Sequence, residues 1–309
     1  MQLYRRAFRA MGSPCDIQLF ATSPRKAEEV IDAALEEIAR LEAHYSCYRE
    51  DSLVSEINRV AALGGALSLD PETASLIDYA ATCHRESEGL FDITSGILRR
   101  AWCFRRGELP DRSHVQRLLD RVGWHRVDWS PPRLAFPVPG MEIDLGGVVK
   151  EYAVDRVTRR CREAGVCHGF VNLGGDVGIV GPRPEGEGWR IGIRHPRRCH
   201  ALIETLSLRG GALATSGDYE RCIVANGERF GHILDPRTGW PVRHLASVSV
   251  VADLCVVAGS ASTIAVLRQE EGPSWLARLG LPHHWVDVNG RIGGRLWGSA
   301  SLRQPTKST

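Results

Sequence analysis

Several common signatures are missing from this sequence. It contains no GxGxxG, GxxxxGKS/T, HExxH or GxSxG segment, which excludes the usual dinucleotide, phosphate-loop, zinc-protease and serine-hydrolase sites. Its nine cysteines include no CxxC pair, so we expect reduced thiols rather than a zinc site or a disulfide framework. The formal net charge is only +2, which gives no reason to expect nucleic acid as a partner.

Long hydrophobic runs are also absent. The most apolar stretch, residues 246–267, is interrupted by Asp253 and is rich in small and hydroxyl side chains. This pattern is typical of a buried strand and helix rather than a membrane span. The first residues, MQLYRRAFRAMGSPC, hold no apolar segment ahead of a cleavage site. We therefore expect no transmembrane segment and a cytoplasmic location.

What the chain does have is length and an even mixture of residue types. With 309 residues, 43% of them hydrophobic and 25% charged, it can bury a full core as one large domain or as two closely packed lobes. We expect residues 1–309 to form a single domain. Residues 101–140, rich in tryptophan and proline, indicate a surface excursion with a small core of its own. Residues 303–309 are predicted to be a disordered tail.

Periodic patterns predict both helices and strands. Amphipathic spacing predicts three long helices, over about residues 25–44, 72–88 and 148–164. Apolar runs predict strands, including a strand, turn and strand within residues 168–181. Asn226-Gly227 between two such runs predicts a tight hairpin.

The greatest concentration of chemistry lies between Asp144 and Asp176. This stretch reads DLGGVVKEYAVDRVTRRCREAGVCHGFVNLGGD, with two Gly-Gly pairs about one helix apart. Glycine lets the backbone approach a ligand closely, and the N-terminus of a helix attracts anions. The spacing therefore predicts an anion-binding helix start, with Lys150 in its first turn, and a second glycine pair at the end of a strand.

Other clusters of Gly, Ser, Thr and Asp lie at predicted strand ends, in FDITSGIL and ATSGDYER. If they converge on one cleft, they would supply N–H groups and hydroxyls for a pyrophosphate. Taken singly, each is a weak signal. Tyr48 is either an ordinary half-buried tyrosine or an aromatic platform for a purine or flavin ring. A lone histidine such as His232 is more often structural than functional.

The order of these clusters is more specific than any one of them. The chain resembles the ApbE family of FAD:protein FMN transferases over residues 8–268, through eight segments at compatible spacings: MGS, SCYREDSLVSEIN, FDITSGIL, DLGGVVKEYAVD, NLGGD, ATSGDYER, HILDPRTGWPV and ASTIAVL. The resemblance implies an α+β fold that is not a Rossmann fold, with mixed or antiparallel sheets and FAD in a cleft between two intimate lobes. It also implies magnesium-assisted transfer of FMN from FAD to a threonine or serine hydroxyl of an acceptor protein, with release of AMP.

The resemblance also assigns residues to this reaction. By position in the shared motifs, the FAD contacts fall on Met11, Tyr48, Phe91, Asp92, Asp144, Lys150 and Ile233. His232, beside Ile233, is our candidate for deprotonating the acceptor hydroxyl or contacting the phosphate. Candidates for orienting cofactor or acceptor are Asp176, Ser216 and Asp218. Roles as turn and cap residues fit those three nearly as well.

The implied magnesium site combines the backbone carbonyl of Gly147 with side chains at the start of the last long helix. The usual pattern there is DALAT, and this chain reads GSAST: Thr263 is retained, but Gly259 replaces the expected aspartate. A second departure is Glu151, because KG is the commoner pair after DLGG. We expect weaker magnesium dependence than in relatives that have the aspartate, and higher activity at low magnesium after Gly259→Asp.

Three functions remain open at this point. The first is the transferase, in which Asp144, Asp176, Glu151 or water completes the metal site. The second is a non-catalytic FAD-binding or carrier protein with a degraded metal site. The third is a FAD pyrophosphatase that gives FMN and AMP. The partners implied by the resemblance are FAD and an acceptor flavoprotein that presents a threonine or serine hydroxyl.

Overall fold

The computed structural model describes residues 1–104, 106–198 and 201–296. At its centre is an eight-stranded sheet in which each strand runs antiparallel to its neighbours. In spatial order the strands are β1 (Gln2–Ala10), β2 (Ser13–Ala21), β6 (Gly169–Leu173), β7 (Asp176–Gly181), β10 (Ala212–Gly217), β13 (Leu245–Ala252), β14 (His283–Asp287) and β15 (Ile292–Arg295). The antiparallel sheet with separate helices confirms the predicted α+β class, because a Rossmann fold needs parallel strands.

The central sheet is covered on both faces. On one face three helices pack side by side, α1 (Pro24–Tyr45), α5 (Val149–Glu163) and α6 (Cys255–Leu267). On the other face lies the hairpin of β8 (Trp189–Arg194) and β9 (Leu202–Leu208). Burial from both sides explains why all eight residues of β13 are buried, whereas a strand covered on one face would alternate buried and exposed side chains.

The remaining elements surround this layered core. The other helices are α2 (Leu53–Leu63), α3 (Pro71–Glu86), α4 (Arg112–Leu119) and α7 (Gly272–Arg278). Short 3₁₀ helices cover Ile93–Arg100, Trp124–Arg126 and Gln269–Glu271. The described residues also form two small antiparallel sheets, one of β3 (Ala66–Ser68), β5 (Arg133–Ala135) and β4 (Asp128–Ser130), the other of β11 (Cys222–Ala225) and β12 (Glu228–Gly231).

Local sequence explains where several elements begin and turn. Ser23 caps α1 by accepting a 3.2 Å hydrogen bond from the Lys26 backbone N–H, and Asp70 caps α3 in the same way. The three predicted long helices are confirmed to within two residues at each end. At the predicted hairpin, Asn226 and Gly227 have φ of 54° and 76°. A two-residue type I′ turn requires positive φ at both positions.

Residues 101–140 contribute to two cores. Trp102, Val115, Leu118 and Val122 form a small cluster, apart from the main core, together with Ile223 and Phe230 of the β11–β12 hairpin. Phe136, later in the same segment, belongs to the main core. The division of this segment from the rest of the domain stays a prediction.

A continuous hydrophobic core extends from Ala10 on β1 to Leu276 on α7. The tail predicted to be disordered, residues 303–309, lies outside the described residues. In the part of the chain that the structure describes, no helix combines the length and the apolar character needed to cross a bilayer.

Candidate active site

The side chains of Lys150 and Asp176 link the two ends of the glycine-rich stretch. The Lys150 Nζ donates to Asp176 Oδ2, and Asp176 Oδ1 accepts a hydrogen bond of 3.2 Å from the Thr215 backbone N–H on β10. Desolvation disfavours the ammonium, but the carboxylates of Asp176 and Glu151 outweigh it and raise the pKa of Lys150. A charged lysine is therefore fixed in the first turn of α5, where the helix end itself attracts phosphate.

The second glycine pair forms a tight turn against the first hairpin. Gly174 and Gly175 have φ of 65° and 102°, a region that favours glycine. A Cβ on Gly174 would lie 2.8 Å from the Cβ of Ser13, so a larger residue would push the β1–β2 turn away. In that turn Met11 has φ of 50°, and its N–H donates to Glu42 Oε1 at 2.8 Å. Met11 is thus held beside the NLGGD turn.

Asp144 shapes the DLGG turn. Its Oδ1 accepts a 2.7 Å hydrogen bond from the Gly146 N–H, and the Cys47 thiol donates to its Oδ2 over 3.5 Å. A Cβ on Gly96 would lie 2.4 Å from the Asp144 Cβ, which explains the glycine in FDITSGIL. Tyr48, next to Cys47, is 80% exposed. The half-buried alternative for Tyr48 is therefore wrong, and an exposed ring is what an aromatic platform needs.

Phe91 packs against the DLGG turn, and Asp92, next to it, holds the adjoining loop. A Cβ on Gly147 would lie 3.4 Å from Cζ of the buried Phe91 ring. Asp92 Oδ1 accepts hydrogen bonds from the N–H (2.8 Å) and the hydroxyl (2.6 Å) of Thr94, and its Oδ2 accepts one of 2.9 Å from the Trp124 N–H. Both Asp92 oxygens are engaged with protein, so this side chain fixes the loop, and its contact with FAD stays a prediction.

His232 follows β12 and is exposed to solvent, while Ile233 is half-buried against the main core. Surrounding protein nevertheless desolvates the imidazole and, together with the charge of Arg221, lowers the pKa of His232 to about 4. The imidazole is therefore neutral at pH 7 and able to accept a proton.

Two other predicted residues are held by protein partners. Arg197 donates to both carboxylate oxygens of the buried Asp218, at 2.6 and 2.7 Å. Asp218 therefore positions a guanidinium rather than serving as a free base. The Ser216 hydroxyl lies 2.8 Å from the hydroxyls of both Ser262 and Thr263. This contact joins β10 to α6 and fixes the orientation of the Thr263 side chain.

The two departures from the usual motif pattern meet in the structure. A Cβ on Gly259 of α6 would lie only 2.4 Å from Cγ and 3.0 Å from Cδ of Glu151 on α5. Desolvation raises the pKa of Glu151 above its ordinary value, although Lys150 acts in the opposite direction. The gain of activity expected from Gly259→Asp stays a prediction, and the position of Glu151 opposes it. The new side chain would have to displace Glu151 and would add a second negative charge beside it.

Sequence reasoning missed two arginines that shape the site. A guanidinium nitrogen of Arg221 lies 3.3 Å from the position of a Cβ on Gly12, and its charge acts on both His232 and Tyr48. Arg221 ends the ATSGDYER segment, and the general excess of arginine over lysine is the sequence signal that points to it. Arg197 lies in a basic turn, and no sequence signal connects it to Asp218.

A separate recess of about 520 Å³ lies between α4 and the β11–β12 hairpin, with Phe230, Trp240 and Arg243 among its lining residues. The Arg112 guanidinium lies 5.2 Å from the centre of the Trp240 ring. None of the predicted site residues lines this recess. It therefore provides no support for a particular FAD position.

A comparison with sequence models of known families identifies the family of this chain. A sequence model of the ApbE family matches residues 11–284, which include every predicted site residue. The chain belongs to the ApbE family. Family membership confirms the resemblance seen in the order of the eight segments.

Relatives in the ApbE family cover most of this chain. The FAD:protein FMN transferase of Klebsiella pneumoniae is 32% identical over 248 residues, which are 78% of this chain and 75% of the relative. That of Haemophilus influenzae is 29% identical over 259 residues, 80% of this chain and 74% of the relative. The crystal structure of the ApbE protein from Thermotoga maritima matches with a TM-score of 0.87 at 31% identity, covering 95% of this chain and 97% of that one. The apo flavinyl transferase ApbE of Pseudomonas stutzeri matches with 0.84 at 25% identity, covering 97% and 98%.

Proposed function

We propose that this chain is a FAD:protein FMN transferase, which moves FMN from FAD to a threonine or serine hydroxyl of an acceptor protein and releases AMP. The observation that carries this proposal is the convergence of the DLGG, NLGGD and β1–β2 turns around the Lys150–Asp176 ion pair. The relatives from Klebsiella and Haemophilus are themselves FAD:protein FMN transferases, which supports it.

The reaction is a displacement at phosphorus without any redox change. The acceptor hydroxyl oxygen bonds to the flavin-side phosphorus of FAD, and the bond from that phosphorus to the bridging oxygen breaks. AMP leaves with the bridging oxygen, and the hydroxyl proton passes to a base. Negative charge grows on the phosphate oxygens during transfer, so positive charge and positioning dominate catalysis.

Each predicted residue has a role that its surroundings allow. Lys150, held by Asp176, supplies fixed positive charge beside the phosphates, together with the N–H groups at the start of α5. His232, neutral at pH 7, accepts the hydroxyl proton. Asp218 fixes the position of the Arg197 guanidinium. The FAD contacts are assigned to Met11, Tyr48, Phe91, Asp92, Asp144, Lys150 and Ile233.

Magnesium belongs to this proposal, and the donors present suit it. Among residues 1–104, 106–198 and 201–296, no three His, Cys, Asp or Glu side chains are grouped as a metal cluster. A site built from the Gly147 carbonyl, the Thr263 hydroxyl and water needs no such cluster, and magnesium prefers oxygen ligands of these kinds. Oε2 of Glu151, whose side chain lies against Gly259 of α6, is buried and has no hydrogen-bond partner in the part of the chain that the structure describes. The ion would offset charge on the phosphates.

The test is the intact mass of an acceptor domain after incubation with purified protein, FAD and magnesium. We expect the acceptor to gain one FMN less one water, and an acceptor whose target threonine is replaced by alanine to gain nothing. Stoichiometric FAD binding without any adduct across several acceptors would favour the carrier function. Release of FMN and AMP without an adduct would favour the pyrophosphatase.

The same assay examines His232. We expect His232→Ala to slow transfer by roughly 100-fold while FAD affinity changes much less, because a general base acts in the transition state. His114→Ala, which alters a histidine on α4, is the control and should transfer at the wild-type rate. Equal losses in transfer and FAD affinity would assign His232 to binding instead.

The cytoplasmic location stays a prediction.

A further inference from the structure

The space beside Gly259 is filled by a side chain from the neighbouring helix. Besides the two carbon contacts given above, Oε1 of Glu151 lies 3.2 Å from where a Cβ on Gly259 would be. The whole end of the glutamate therefore lies against α6 at this position. Any residue larger than glycine at position 259 would exclude it.

One oxygen of this glutamate is unsatisfied. Glu151 is 8% exposed, and its Oε2 is buried without a hydrogen-bond partner among the described residues. Its Oε1 lies 3.7 Å from Lys150 Nζ, beyond hydrogen-bond distance, because that ammonium is directed to Asp176. A buried carboxylate is unfavourable unless a cation or a donor pairs with it. The missing partner is what a bound cation would provide.

The carboxylate lies at the contact between the two segments that carry the other donors of the magnesium site. Gly147 is in the turn just before α5, and Glu151 follows it by four residues, in the first turn of that helix. Gly259 precedes Thr263 by four residues on α6, so both lie on one side of that helix, and α5 packs directly against α6. Contact between Glu151 and Gly259 therefore brings the carboxylate to the side of α6 that carries Thr263.

We propose that Glu151 is the anionic ligand of the magnesium site, so that α5 presents the carboxylate that the usual pattern places on α6 at position 259. The inference rests on the proposed function, which implies the metal. The residues Glu151 and Gly259 then compensate for each other. Helix α5 supplies the longer acidic side chain, and the glycine on α6 leaves the space for it. Charge and donor type are conserved, so the site does not require the weaker magnesium dependence expected from Gly259 alone.

The test measures metal binding directly. Mn²⁺, a paramagnetic substitute for Mg²⁺, is titrated into FAD-saturated protein without acceptor, and free Mn²⁺ is followed by electron paramagnetic resonance. The variants are Glu151→Gln, Glu151→Gly and the double variant Glu151→Gly with Gly259→Asp, which returns the carboxylate to α6. Glu163→Gln removes an exposed carboxylate from the same helix and is the matched control. Thermal melts establish that each variant is folded.

We expect both single Glu151 variants to weaken Mn²⁺ binding by roughly tenfold or more, since affinity follows the charge of the ligands. The double variant should recover most of this loss, and Glu163→Gln should bind like the wild type. The inference is overturned if Glu151→Gln binds Mn²⁺ as tightly as the wild type, if the folded double variant binds no better than Glu151→Gly, or if the wild type binds no Mn²⁺. Glu151-dependent Mn²⁺ binding without adduct formation would instead reject the transferase and leave the metal site standing.

Discussion

Two buried glutamates, Glu37 and Glu151, lie where helix α5 contacts its two neighbouring helices. Glu37 lies between α1 and α5 and Glu151 between α5 and α6, and their hydrogen-bond partners differ. Glu37 of α1 is 4% exposed and accepts hydrogen bonds from three guanidinium groups, which with it form the Glu37 cluster: Arg40, Arg156 and Arg160. Hydrogen bonds from Arg40 outweigh desolvation and lower the pKa of Glu37 to about 2. Glu151 has one unpartnered oxygen and a raised pKa.

The comparison separates a carboxylate that stabilises the fold from one that is available for a ligand. The Glu37 cluster is complete within the protein, because its three donors match both carboxylate oxygens. Glu151 has a similar degree of burial, but its nearest cation is bound to Asp176. Burial alone therefore does not reveal the function of an acid, whereas the state of its oxygens does.

The largest stability change in this comparison is expected for Glu37→Gln. It removes the anion while the charges of three arginines remain, and a pKa lowered from 4.5 to about 2 corresponds to about 3 kcal/mol of unfolding free energy at pH 7. Urea denaturation at constant pH measures this loss. Mn²⁺ affinity of the same variant should stay unchanged, and a parallel loss of metal binding would break the distinction between the two glutamates.

The difference in unfolding free energy between the wild type and Glu37→Gln should depend on pH with a definite sign. Because the folded-state pKa of Glu37 is depressed, its stabilisation is fully present above about pH 4.5 and is lost as the pH falls toward about 2. The gap between wild type and Glu37→Gln should therefore narrow over this window. A gap that stays constant down to pH 2 would mean that the charge of Glu37 is not what stabilises the cluster.

A smaller effect is expected for Gly259→Ala. Alanine is better than glycine within a helix by about 1 kcal/mol, but its methyl would lie 2.4 Å from Cγ of Glu151. Overpacking of this kind costs about 1–3 kcal/mol, so we expect a net loss of roughly 1 kcal/mol in urea denaturation.

In a Glu151→Ala background the same change should become stabilising, because the clash is gone. Additive effects of the two substitutions would show that these side chains do not touch.

The smallest effect is expected for Glu151→Gln measured without metal. The raised pKa of Glu151 means that its ionisation opposes folding at neutral pH. Neutral glutamine should therefore leave the unfolding free energy unchanged or raise it by up to about 1 kcal/mol. Denaturation in the presence of a chelator measures this, and a clear destabilisation would place Glu151 with Glu37 as a structural acid.

Much of the fold and part of the site could be predicted from local sequence. The long helices follow from apolar spacing and from caps such as Ser23 and Asp70. The hairpin follows from Asn226-Gly227, whose positive φ values few other residues adopt without strain. The order of the glycine and acid clusters was enough to indicate the family. Each cluster forms a turn whose backbone conformation depends on its own residues, so it can be recognised in the sequence without knowing the rest of the fold.

Only the tertiary structure decided which side chains are free to act. The sequence presented Asp92 as a FAD contact and Asp176 and Asp218 as orienting residues, and in the fold each is engaged by protein donors. It presented Glu151 and Gly259 as two unrelated departures, and in the fold they touch. The physical reason is that hydrogen-bond satisfaction and available space depend on helices and strands that are far apart in the sequence, which no local pattern encodes.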